Sequence, residues 1–214
     1  MNLFSTFDPS TGMMSMNWIS ISVFILLPKK FWILNNNILI LINMLTKKMS
    51  KESESMTKIS GMSMITNSMM LMIMLINLMG LLPYVFTPSS HLAFSLTMSL
   101  PIWMSFMIYG WMFKTNSMLK HLVPMNTPSM LMPFMVMIET ISNMIRPGSL
   151  AVRLTANMIA GHMLMSLMGE STKSMMKMSI LMFMYLSLMM FESAVAMIQS
   201  YVFMTLSNLY SSEI

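Results

Sequence analysis

Residues 59–113 read ISGMSMITNSMMLMIMLINLMGLLPYVFTPSSHLAFSLTMSLPIWMSFMIYGWMF, with no Asp, Glu, Lys or Arg anywhere in the stretch. A run of this length suffices for two crossings of a hydrocarbon layer, each needing about 20 apolar residues. Its middle, LLPYVFTPSS, holds Pro83 and Pro88, which interrupt a helix and mark a turn. The pattern predicts a transmembrane hairpin over 61–113, with one helix from about Gly61 to Leu82 and a second from about His91 to Phe113. The rest of the chain agrees. Of 214 residues, 56% are hydrophobic and 9% charged, against about 25% charged in a soluble domain. A water-facing exterior cannot be built from so few polar side chains. The expected fold class is therefore all-α, a polytopic integral membrane protein forming a single membrane domain over 1–214.

Working outward from the hairpin, Lys29, Lys30, Lys47, Lys48, Lys51 and Lys58 precede it, while Lys114 and Lys120 follow it. No lysine lies before residue 29 or between the two hairpin helices. Three crossings place all of these lysines on one side, the positive-inside pattern, and put the N-terminus on the other. The first crossing is assigned to residues 1–28, with its apolar part at Met13–Leu27, Trp18 as an interfacial anchor and Pro28 at the exit. Residues 29–60 form a basic connection. Phe31–Leu45, interrupted by Asn35, Asn36, Asn37 and Asn43, suits an amphipathic helix lying in the membrane interface. The following TKKMSKESESMTK is expected as a solvated loop. No cleavable signal peptide is expected from MNLFSTFDPSTG.

Composition closes several chemistries. With no cysteine, disulfides, thiol catalysis and thiolate metal sites are excluded. Thioethers suit Cu(I), but the 38 methionines fall on every helix face without His or Cys clusters, so Met serves as a generic apolar side chain and no metal is expected. The net charge of +5 is carried by residues that flank apolar runs, which marks topology and not nucleic-acid binding. No GxxxxGK[ST] phosphate loop is present, so the chain carries no nucleotide catalysis of its own.

The last third is different. Pro124, Pro128 and Pro133 open a long helix reaching Met168, Gly169–Lys177 is a polar turn, and Met178–Tyr210 is a second long helix, together a hairpin over 124–211. Residues 138–163 read IETISNMIRPGSLAVRLTANMIAGHM. Seven residues turn a helix by about 700°, close to two full turns, so Glu139, Arg146 and Arg153 share a stripe, with Asn157 one turn beyond. Pro147 and Gly148 are expected to kink the helix. Gly148, Ala151, Ala156, Ala160 and Gly161 leave a small surface for close helix approach. The second helix holds FESAVAMIQSYVF at 191–203, where Glu192 and Gln199 share a stripe by the same spacing. Ionisable side chains within membrane helices are costly, at about +3 kcal/mol for Arg on insertion scales, and mark function by default. Arg153 stays protonated under any physiological condition. Glu139, Glu192 and His162 are the groups able to exchange protons.

At these residues, above all LAVRLTANMIAGH at 150–162 and FESAVAMIQSYVF, the chain resembles subunit a of the F-type ATP synthase in its mitochondrially encoded form. Details such as IRPGSLAVRL look most like the arthropod members. The resemblance is clear over about 133–210 and holds in layout across the rest. It implies a long tilted hairpin lying against a ring of c subunits. Arg153 would face the ring carboxylate and separate two offset half-channels. His162 and Glu192 would belong to the half-channel from the intermembrane space, Glu139 to the matrix half-channel, and Asn157 and Gln199 to polar positions near the arginine. It further implies a peripheral stalk of b type and small Fo subunits as partners, a lipid bilayer, protons as the transported species, no cofactor, and the mitochondrial inner membrane. Bacterial members carry other titratable types at the positions of His162 and Glu192, and Arg146 is not general to the family. The alternative from residues alone is an independent secondary transporter or ion channel; such folds show internal repeats, and none is visible here.

Overall fold

The computed structural model describes residues 3–12, 14–26, 36–57, 61–123, 127–171 and 178–212. Among them the chain is helical and contains no strand. Six α-helices follow two short 3₁₀ segments: α1 (Asn37–Met56), α2 (Met62–Gly80), α3 (Leu92–Phe113), α4 (Thr115–Leu122), α5 (Met132–Ser171) and α6 (Met178–Ser212). Four of these, α2, α3, α5 and α6, are long and apolar enough to cross a membrane.

The α2–α3 hairpin matches the sequence pattern to within a residue or two. Gly80 closes α2 where a Cβ would collide with the Thr87 side chain, so the turn folds tightly back on the helix end. Pro88 opens a single 3₁₀ turn, Pro88–Ser90, before α3 begins. In α5, Pro133 sits in the first turn, where a missing N–H is tolerated. Pro147 lies inside the helix, which continues across it to a length of 40 residues. At 1.5 Å per residue α5 is about 60 Å long, twice the hydrocarbon thickness of about 30 Å, so it must tilt strongly or project from the layer.

The core joins all four long helices. Ile73 of α2, Leu150 and Leu154 of α5 and Phe203 of α6 form one buried cluster, with Met98 and Ile102 of α3 against it. Leu81, Met165 and Ala196 form a second, nearer the α2–α3 turn. Several of the serines packed among these apolar groups satisfy their hydroxyls locally, while the buried hydroxyls of Ser89 and Ser99 have no partner among the described residues. Ser95 donates to the Leu92 carbonyl at 3.0 Å, Ser200 to Met197 at 2.7 Å and Ser207 to Met204 at 2.8 Å. Where it occurs, this back-bonding removes the cost of an unpaired hydroxyl in an apolar interior. The outer surface is apolar instead: Phe113, Phe183 and Met190 are each about three-quarters exposed. Exposed large apolar side chains are what a lipid solvent requires.

Two expectations are corrected. The basic run from Thr46 to Met56 is not a loop, because α1 continues through it to Met56. Lys48 and Glu52, and Lys51 and Glu54, fall at helix-neighbour spacings that favour the helix. Ser53 on its inner face is fully buried, and Glu52 accepts from the Tyr201 hydroxyl of α6 at 3.4 Å. The amphipathic character expected near residues 31–45 is present from residue 37 on: Ile38, Leu41, Met44 and Leu45 form a bare apolar stripe. Its first residues, with Lys29, Lys30 and Pro28, lie outside the described residues, as does Lys58. Second, the segment expected to make the first crossing is 3₁₀ over Met16–Leu26 and not α-helical. The β-branched and serine-rich ISISV is a poor α-helix former. At 2.0 Å per residue it is about 22 Å long, and it packs along α2. Trp18 is not free in an interface; its ring lies against Phe86 and His91, at centroid distances of 5.7 and 5.2 Å.

Because the chain has no cysteine, single substitutions report sidedness cleanly. Cysteines at the exposed positions Ser55 of α1 and Asn116 of α4 are expected to react with a membrane-impermeant thiol reagent from the same face, and one at Ser10 from the opposite face. Labelling of Ser55 and Asn116 from opposite faces would overturn this topology.

Candidate functional site

One close contact between α5 and α6 is built on a glycine. A Cβ placed on Gly161 would overlap the Glu192 carboxyl group, so the absence of a side chain at 161 is what lets the Glu192 side chain lie on the α5 backbone. Glu192 is 6% exposed, and Ala196, one turn on, is fully buried. The small residues on this part of α5 were expected to permit close approach of another helix, and Gly161 is where the facing helix finds room for a carboxyl group. His162 is the next residue on α5. Its Nε2 is buried with no hydrogen-bond partner among the described residues. Its ring meets the Phe7 ring edge-on at 6.2 Å. Beside it lies a cavity of about 490 Å³, walled also by Asp8, Asn17 and Tyr185.

Glu139 lies on the other half of α5. It pairs with Arg146, Oε1 to Nη2 at 3.5 Å, across the two turns that separate them. The Arg146 guanidinium also lies 5.2 Å from the centre of the Tyr210 ring of α6. A second cavity, of about 460 Å³, opens here; Trp103 and Trp111 of α3, His121 of α4, Asn143 and both members of the ion pair line it. The ion pair puts Glu139 and Arg146 on one stripe of the helix, ahead of Pro147.

Arg153 stands between the two. By helical rise it is about 10 Å from Arg146 and about 13 Å from His162 along α5. Its side chain is exposed, and among the described residues no carboxylate lies within ion-pair distance of it. Leu150, Ala151, Leu154 and Thr155 around it are buried, so α5 is anchored while Arg153 points away from the core. Asn157 and Gln199 are half-buried. The candidates are therefore not one cluster: Glu192 and His162 gather at one end, Glu139 at the other, and Arg153 lies bare in the middle.

Sequence reasoning missed the N-terminal contribution. Phe7, Asp8 and Asn17 wall the His162 cavity, and the Phe7 carbonyl accepts from Nε2 of His91, 84 residues away, at 3.0 Å. His91 occupies the N-cap position of α3 but makes no capping bond. No local periodicity encodes such a contact. The helix α4, also unforeseen, folds Met118 against Gly110 of α3 and brings His121 to the second cavity.

These features define a helical membrane protein with two separate cavities toward opposite ends of one long helix, each holding polar side chains among apolar walls. Between them stands an arginine with no carboxylate at ion-pair distance among the described residues. The family model described as ATP synthase A chain matches residues 11–212. The ATP synthase subunit a of the mosquito Aedes albopictus is 49% identical over all of this chain and 98% of that protein, and that of Locusta migratoria shares the same identity and coverage. That of Drosophila melanogaster is 48% identical over the same shares. The chain belongs to the ATP synthase A chain family.

The Gly161–Glu192 contact gives a direct test of the packing. Gly161→Ala forces the carboxyl group aside and is expected to destabilise the fold by about 1–3 kcal/mol, the usual range for overpacking. Gly148→Ala, where a Cβ meets nothing within 4 Å, is expected to be neutral or to stabilise by up to about 1 kcal/mol, as helix propensity dictates. Thermal unfolding of the purified protein in detergent distinguishes the two; equal effects would contradict the close approach.

Proposed function

We propose that this chain is the proton-conducting stator subunit of the Fo sector, offering two half-channels to a ring of c subunits and coupling proton flow to rotation and ATP synthesis. The observation that carries this reading is the separation of the two cavities by Arg153. A continuous pore would let protons cross without work. Two separate cavities toward opposite ends of α5, with a fixed cation between them, would require the proton to leave this subunit and return to it. In this reading the carrier is a rotating ring of c subunits, each with a carboxyl group that passes Arg153, a reading that family membership supports.

In this mechanism each residue has a part. His162 and the sheltered Glu192 receive protons from the cavity at the α2–α3 turn, which the lysine distribution assigns to the intermembrane space. Arg153, exposed toward the ring, favours the ionised form of each passing ring carboxylate and so drives proton release. It also repels a proton seeking a shortcut between the cavities. Glu139, lining the cavity on the lysine-rich side, receives the released proton and passes it to the matrix. Asn157 and Gln199 flank the arginine and keep its surroundings polar. ATP formation takes place elsewhere in the complex. A peripheral stalk of b type and small Fo subunits hold this chain still against the ring, and the mitochondrial inner membrane is the bilayer in which it works.

Arg153→Ala removes the permanent cation while the smaller side chain, on an exposed position, leaves the core intact. Proton-driven ATP synthesis is expected to fall to background in an assembled complex, with passive proton leak. Arg153→Lys is expected to fail as well, since lysine lacks the delocalised planar guanidinium and can lose its proton when desolvated. Glu192→Gln, which keeps the shape of the group sheltered on Gly161, should slow proton flux and shift its pH dependence. Near-normal coupled synthesis in Arg153→Ala, with assembly verified, would sink this mechanism.

A further inference from the structure

The cavity beside His162 has a wall that the path described so far does not use. The chain's N-terminal segment passes over it, and the structure fixes that segment at several points. The Phe7 carbonyl is held by His91 Nε2 at 3.0 Å, the Phe7 ring sits edge-on to His162, and Asn17 Nδ2 donates to the Asp8 carbonyl at 3.4 Å. Asp8 is thereby held at the rim. It is the only charged side chain among the described residues that line the cavity. The other titratable groups facing it are His162 of α5, Tyr84 of the α2–α3 turn and Tyr185 of α6, and His91 stands behind the Phe7 carbonyl.

We propose that Asp8 is a proton-attracting residue at the outer mouth of this cavity, a fixed anion that raises the local proton concentration where the path toward His162 begins. The inference rests on the assignment of His162 to the proton path. A charge of one sign at the rim of a cleft with low-dielectric walls focuses the field and raises the local concentration of counter-ions and their rate of entry. Asp8 is suited to a steady charge. The Ser10 N–H donates to its Oδ1 at 3.0 Å and holds the carboxyl below the usual carboxylate range. A depressed carboxyl stays ionised down through neutral and mildly acidic pH and loses its charge only as pH falls through its lowered value, so Asp8 acts through its field and is not a storage site for the proton. The buried Nε2 of His162, without a hydrogen-bond partner among the described residues, is the group inside the cavity that an entering proton or water would meet.

The test uses the assembled complex in sealed vesicles, with ATP synthesis measured against the pH of the face to which Ser10 belongs. Asp8→Asn removes the charge but keeps an oxygen to accept the Ser10 N–H, so the turn is preserved. At low ionic strength the proton concentration for half-maximal rate is expected to rise by about three- to tenfold, the low end of electrostatic focusing. The rate at saturating acidity should change less. The difference should shrink at about 1 M salt, where the screening length is about 3 Å, and Asp8→Glu should restore most of the wild-type curve. An unchanged proton dependence in Asp8→Asn, or a loss of maximal rate alone, overturns the proposal when His162→Gln still impairs flux. If His162→Gln too leaves flux and its proton dependence unaltered, the path assignment itself fails and this inference falls with it.

Discussion

A carboxyl group on an apolar helix has to be sheltered, and the contact of Glu192 with Gly161 is how this chain shelters it. The contact fixes more than one side chain. It sets the depth at which α6 approaches α5, and with it the burial of Ala196 and Met165 beside Leu81, the residue just after α2. A larger residue at 161 would hold the helices apart and open that cluster. One missing Cβ thus links the position of a titratable group to the packing of three helices. In membranes, where lipid is as apolar as the core, such close approach is a main source of helix association.

The same helix treats its two arginines in opposite ways. Arg146 is surrounded: Glu139 faces it on its own helix and the Tyr210 ring on α6. An ion pair of this kind, partly exposed, contributes no more than about 1 kcal/mol by itself, yet it spares a guanidinium from lying alone against apolar groups. Arg153, two turns on, is bare among the described residues. With insertion costs of about 3 kcal/mol or more for such a group, a bare arginine flanked by Leu150 and Leu154 is a structural loss in the isolated chain. The loss is offset only when something with complementary charge lies against that face. The geometry of the chain alone therefore argues for an acidic partner surface along α5, the surface that the proposed ring of carboxyl-bearing subunits would provide.

Much of this was legible in the residues. The two hairpin helices followed from uncharged length, their turn from Pro83 and Pro88, and the last two helices from long apolar runs bounded by prolines and a polar turn. The stripes of Glu139, Arg146 and Arg153 and of Glu192 and Gln199 followed from seven-residue spacing, because each of these is a local property. The failures are equally physical. Lysine and glutamate between 47 and 54 look like a solvated loop in composition, but their helical spacing and the buried Ser53 depend on α6 being alongside. The 3₁₀ form of Met16–Leu26 was hidden because apolar content fixes residence in a membrane and not the type of helix. The N-terminal wall of the His162 cavity was invisible, since it is made by contacts between residues more than 80 positions apart.

The arrangement also explains why the polar groups are split and not gathered. If Glu192, His162, Glu139 and Arg153 shared one cavity, protons could hop among them and cross the membrane without turning anything. Placing His162 and Glu139 in different cavities on one helix makes the gap between them a matter of helical rise, about 34 Å for 23 residues. That distance is set by the backbone and does not depend on side-chain rotamers. A single continuous α5, carried across Pro147 without a break, is the simplest device that keeps two openings apart and in fixed register with an arginine between them. The heptad spacing that first marked these residues in the sequence is, on this view, the consequence of a helix that must present its charges along one line while its other faces stay packed.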